Sequence, residues 1–97
     1  MQSPDSSWIP EYQLPVTDSR SGRLVEMISS QAFEDYLPKD CIALVRLYDH
    51  DCYPHSVVLY ASGTVTQARR DADRRFSKLY DKELDRGLRY RFFAKEN

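Results

Sequence analysis

Residues 41–91 read CIALVRLYDHDCYPHSVVLYASGTVTQARRDADRRFSKLYDKELDRGLRYR, and the order of elements along this run decides the fold. The segment Ile42-Ala43-Leu44-Val45-Arg46-Leu47-Tyr48 is apolar on both alternations, the pattern of a strand covered on two faces. Ser56-Val57-Val58-Leu59-Tyr60-Ala61 repeats that pattern. Between them Asp49 to His55 is polar and holds Pro54, which predicts an antiparallel hairpin with a longish loop. Thr64-Val65-Thr66-Gln67 then has the form of a capping box, in which the Thr hydroxyl accepts from the amide of Gln67 and the Gln67 side chain reaches back. Val65, Ala68, Ala72, Phe76, Leu79 and Leu84 follow as an apolar stripe. Together they predict one long helix from Thr64 to Arg86, ended by Gly87, with Lys82 and Arg86 at the negative end of its dipole. Leu88 to Phe92 alternates as a closing strand, with Leu88, Tyr90 and Phe92 on one side and Arg89, Arg91 and Phe93 on the other.

Upstream, residues 23–37 admit two readings. As one helix, Leu24, Met27, Ile28, Ala32, Phe33, Tyr36 and Leu37 form a stripe; as two pieces, Arg23 to Ile28 is a strand and Ser30 caps a helix to Leu37. Pro38 stops the helix in both. The chain is thus expected to be a single small α+β domain over residues 23–97. Its sheet is mostly antiparallel and three- or four-stranded, with the long helix on one face, in the order α-β-β-α-β or the ferredoxin-like β-α-β-β-α-β. Residues 1–22 carry Pro4, Pro10 and Pro15 and are expected to be an irregular N-terminal arm. Trp8, Ile9, Tyr12, Leu14 and Val16 give that arm apolar side chains that a purely solvated tail would not need, so part of it is expected to fold back over the domain.

A chain of 97 residues, 41% apolar and 30% charged, suits one modest core. It has no apolar run long enough to span a membrane and no basic-then-apolar start of the signal-peptide kind. Two cysteines do not make a disulfide framework, and Cys41 and Cys52 stand at opposite ends of an extended run, so reduced thiols and a cytoplasmic setting are expected. Net charge is only −1 but unevenly spread: residues 1–40 carry three basic and seven acidic side chains, whereas residues 69–91 carry nine basic and five acidic. Such polarity points to an acidic partner for the basic part, or to the two halves packing together.

The densest reactive cluster is Asp49-His50-Asp51-Cys52-Tyr53-Pro54-His55. It matches none of the common zinc-ligand spacings, and Asp and Pro also serve turns, so a metal or thiol site in loop 49–55 is only a subsidiary reading. Pairing Cys52 with His50 or His55 as a nucleophile would need an orienting group and an oxyanion hole that the loop does not offer. No phosphate loop, nucleophile elbow or dinucleotide fingerprint occurs, so no catalytic residue, no cofactor and no metal is assigned.

Arg69, Arg70, Arg74, Arg75, Lys78 and Lys82 crowd the predicted helix, and Arg89 and Arg91 follow. Phosphate binding, with Tyr90 or Phe93 stacking on bases, is one use of them. The interleaved Asp71, Asp73, Asp81 and Asp85 pull the other way, because Arg69–Asp73 and Asp71–Arg75 are i, i+4 pairs of a self-neutralised face. The Val57–Tyr60 strand also lacks the Gly-aromatic pattern of an RNA-recognition module. Seven tyrosines exceed what a small core absorbs, and Tyr and Arg anchor protein interfaces. The sequence therefore leads to a non-catalytic interaction module, an accessory or inhibitor protein that binds a larger protein or complex. Its expected surfaces are Arg69, Arg70, Arg74 and Arg75 on the helix and Tyr48, Tyr53 and His55 around the loop, with nucleic acid as the alternative partner.

Overall fold

The doubly apolar run at 42–48 is doubly apolar because it forms the strand covered on both sides. In the computed structural model, which describes residues 11–95, the order is β1 (Gln13–Asp18), β2 (Leu24–Ser29), a 3-10 segment (Ser30–Asp35), β3 (Ala43–Tyr48) and β4 (Pro54–Tyr60). There follow α1 (Val65–Phe76), a 3-10 turn (Ser77–Leu79), the short pair β5 (Tyr80–Asp81) and β6 (Arg86–Gly87), and β7 (Arg89–Ala94). The main sheet has five strands in the order β2-β1-β4-β3-β7. All neighbours are antiparallel except β1 and β4, which run parallel with Val16 opposite Val57.

Side-chain alternation splits the core in two. Ala43, Val45 and Leu47 of β3 pack with Val58 and Tyr60 of β4 and Phe92 of β7 beneath Ala68, Ala72 and Phe76 of α1. On the reverse face Leu44, Leu14, Val16, Val57 and Leu59 pack around Phe33, the fully buried anchor of the first 3-10 segment. The sheet is therefore a middle layer between α1 and that segment. The small Ala68 and Ala72 let α1 sit close to the strands, and its start follows the local rule: Thr64 Oγ1 accepts from the Gln67 amide at 3.1 Å, and Gln67 Oε1 accepts from the Thr64 amide at 3.1 Å.

Four expectations are corrected. The sheet is five-stranded and mixed, and the chain departs from both expected element orders, with β1 ahead of them and the β5–β6 pair within them. Residues 13–18, expected irregular, form β1, with Leu14 and Val16 in the core. Pro15 does not prevent this, because pairing with β4 begins only after it, at Val16. The 23–37 region is a strand followed by a 3-10 segment, with no α-helix; Ser29, not Ser30, supplies the cap by accepting from the Gln31 amide.

The helix, expected to reach Arg86, ends at Phe76 and runs only through a 3-10 turn to Leu79. Leu79 and Leu84, which prolonged the stripe on paper, are 42% and 67% exposed. Asp81 turns the chain instead, its Oδ1 accepting from the amides of Glu83 and Leu84. Gly87 is not a helix cap but the end of the β5–β6 pair, at φ 112°, where a Cβ would collide with the Leu79 carbonyl. Lys82 and Arg86 lie in this hairpin, away from any helix end. The Trp8 and Ile9 expectations fall outside the described residues.

Candidate interaction surface

The interleaved charges of α1 come to rest unequally. Arg69 Nε lies 3.7 Å from Asp73, and its guanidinium stacks 5.3 Å above the Phe92 ring. Arg74 and Arg75 both turn to Asp71, at 3.1 and 3.4 Å. Both i, i+4 pairs read from the sequence thus form. Arg70 makes no ion pair or hydrogen bond among the described residues, and Arg74 remains 77% exposed despite its pair. Asp71 also accepts from the Tyr60 hydroxyl at 2.6 Å. That hydroxyl, with the two guanidiniums, holds the Asp71 carboxyl below the usual carboxylate range against the opposing effect of partial burial. Burial and the same carboxylate push the Tyr60 phenol up.

Arg75 reaches further, donating to the Ser19 carbonyl in the β1–β2 turn at 3.1 Å. That turn is built by Asp18, whose Oδ2 accepts from the amides of Arg20 and Ser21 and from the Ser21 hydroxyl. The Ser21 amide and hydroxyl are the main reason its carboxyl is held below the usual range. Between the turn and α1 lies an open cleft of about 680 Å³, floored by Tyr60 and walled by Asp18, Arg20, Gln67 and Arg75.

The same side of the sheet is only partly roofed. No residue of β1 or β2 belongs to the cluster beneath α1. Ile28 and Leu14 pack on the reverse face, and Glu26 there accepts from the Tyr36 hydroxyl at 2.5 Å. Met27 and Leu24, in register with Pro15 and Thr17, consequently face the α1 side, where they are 46% and 58% exposed. Val25, the extra residue at the irregularity between them, is 51% exposed. An apolar strip on edge strand β2 thus lies open beside the arginine-bearing flank of α1. The opposite edge strand, β7, carries Arg89 and Arg91.

The expected tyrosine surface is not contiguous with these arginines. Tyr48 packs on the reverse face, edge-on to Phe33 with centroids 5.3 Å apart, and its hydroxyl donates to Glu34 at 3.2 Å. Tyr53 is 51% exposed in the β3–β4 loop. His55 is exposed, with Nδ1 2.9 Å from Ser56 Oγ. Asp49 organises that loop: its Oδ1 accepts from the amides of Asp51 and Tyr53, and its carbonyl accepts from the Cys52 amide. His50 faces Asp51 at 3.4 Å, and no three metal-ligating side chains converge among the described residues. Cys41 is buried with its Sγ toward the Pro38 carbonyl, and burial pushes its thiol up; Cys52 is exposed and in no disulfide, its Sγ accepting from Arg89 Nη1 at 3.4 Å.

Of the remaining cations, Arg89 is committed. It donates to Asp85 at 2.6 Å, to the Tyr80 hydroxyl at 3.0 Å and to the His50 carbonyl at 2.9 Å, tying the β5–β6 hairpin to the β3–β4 loop. The aromatic rings expected to stack on bases are also engaged within the fold. Phe93 lies 4.0 Å beneath the Arg46 guanidinium, and the Tyr90 hydroxyl donates to Asp73 at 2.7 Å.

Leu24 and Met27 were read from the sequence as part of a core stripe, and neither they nor Val25 were among the expected interaction residues. The signal of the strip was present in Leu24-Val25-Glu26-Met27-Ile28, a short strand that is apolar on both alternations like β3 but that no element among the described residues covers on the α1 side. No family model, no curated protein and no solved structure matches the chain. No helix among the described residues is long and apolar enough to cross a membrane.

Proposed function

We propose that this protein is a non-catalytic interaction module, an accessory or inhibitor protein that binds a larger protein or complex and modulates it. One observation carries the reading: the α1 side of the sheet leaves Leu24 and Met27 in solvent on the side to which Arg74 and Arg75 turn with Asp71, while Arg70 lies on the other flank of α1, by Phe92 and Ala94. Apolar side chains clustered on one edge strand and flanked by guanidiniums have the composition of an interface: an apolar centre with arginine anchors. Tyr53 and His55 offer a second, separate patch at the β3–β4 loop. The free Cys41 and Cys52 favour a cytoplasmic setting as part of the same reading.

The test is a pull-down from source lysate with the tagged protein and its Arg70→Glu/Arg74→Glu variant, each with and without nuclease. The expected result is a stoichiometric protein that survives nuclease and is depleted about tenfold by the double reversal, with thermal stability little changed. Captured material that vanishes with nuclease would replace this reading with nucleic-acid binding through the same arginines. A partner indifferent to the double reversal would remove the α1 face from the interface.

A further inference from the structure

Resting on that reading, we propose that the open strip over β1 and β2 receives a single amphipathic helix of the partner protein, acidic along its flanks. The width of the strip limits what can cover it. Strands lie about 4.8 Å apart, and α1 packs over β3 and β7, reaching Val58 and Tyr60 of β4 at its edge. A second helix centred over β1 would lie roughly 10–12 Å from the axis of α1, at or just beyond the usual separation of packed helices. There is room for one such helix and no more. Its floor would be Pro15, Leu24 and Met27. The six residues of β2 extend roughly 20 Å, which matches about 13 residues of helix.

Charge sets the flanks. Four guanidiniums border the strip, Arg20 and Arg23 at the β1–β2 turn and Arg74 and Arg75 on α1. Two carboxylates, Asp18 and Asp71, lie among them. Both carboxylates are already satisfied, Asp18 by Ser21 and the Arg20 amide, and Asp71 by Tyr60 and two arginines. The surplus is positive, and carboxylates on the incoming helix complement it. A second copy of the chain does not meet this need. Its only α-helix among the described residues is α1, and docking α1 would set Arg70 and Arg74 against the arginines of the strip. A strand added to the β2 edge would pair backbone groups yet leave Met27 and Leu24 in water. Nucleic acid would match the guanidiniums but not the apolar floor.

A displayed library of 14-residue amphipathic helices, with one fixed apolar stripe and randomised flanks, is selected against the full-length protein. The proposal expects net-acidic flanks to be enriched. It expects the selected helices to bind Met27→Glu at least about tenfold more weakly and Met27→Leu unchanged, with the melting temperatures of both variants near that of the parent. Enrichment without acidic bias, no enrichment, or binding indifferent to Met27→Glu would overturn it. So would displacement of the selected helices by an equimolar DNA duplex, which would assign the strip to nucleic acid. The two readings separate on the captured partner: if it is lost with Arg70→Glu/Arg74→Glu but kept with Met27→Glu, the interaction module stands and the helix proposal fails.

Discussion

Phe33→Ala is the sharpest perturbation of the fold. Phe33 is fully buried, the one buried residue that the first 3-10 segment contributes, and it closes the reverse face of the sheet against Leu14, Leu44 and Val16. Truncating a buried Phe removes its transfer free energy and leaves a cavity, together about 3–5 kcal/mol. The edge-to-face contact with Tyr48, 5.3 Å between centroids, goes with the ring. For a domain of this size, whose total stability is of order 5–15 kcal/mol, the loss is a large share. At about 4–8 °C per kcal/mol it should lower the melting temperature by roughly 12–40 °C. Urea unfolding followed by far-UV circular dichroism gives the value directly, as a lower midpoint at unchanged slope. A loss below about 1 kcal/mol would mean that Phe33 does not hold the second layer and that the two-faced core is misassigned.

Asp71→Asn weakens the hydroxyl and guanidinium contacts of one carboxylate and should cost about 1–2 kcal/mol at neutral pH, measured by urea unfolding. Because the folded pKa of Asp71 lies below its unfolded value, its contribution is complete above the unfolded value and is lost as pH falls through the folded one; the variant should therefore lose stability less steeply than the parent below about pH 4. Arg46 is 8% exposed on β3 with its Nε unpaired, Glu34 3.6 Å from Nη1 and Phe93 below. Arg46→Met should leave thermal stability within about 1 kcal/mol of the parent or raise it, whereas Arg46→Ala should lower it.

What could be read from the chain was what neighbouring residues determine by themselves. The start of α1 was legible because a capping box is a contact between Thr64 and Gln67 alone. β3 and β4 were legible because burial on two faces leaves no polar alternation. The end of α1 was not, since Leu79 and Leu84 imitate a continuing stripe, and only the return of Gly87 against the Leu79 carbonyl shows the chain turning back. β1 was hidden by Pro15, which sits in the β1–β2 pair opposite Met27 while β4 joins the other side only at Val16. Residues 30–35 hold a single deep anchor, Phe33, too little for periodicity to separate a 3-10 segment from an α-helix. Among the surface residues, the arginines of α1 and their Asp partners followed from helical spacing. The strip beside them did not, because its exposure depends on which strands α1 covers, a property of sheet order that no local pattern carries.

The interface itself can be read by hydrogen–deuterium exchange of the protein alone and bound to its nuclease-resistant partner. Docking on the open side of the sheet predicts protection concentrated in residues 20–29 and 67–75, with the β3–β4 loop unchanged. Protection confined to residues 48–55, with the β2 edge and α1 exchanging as in the free protein, would contradict it.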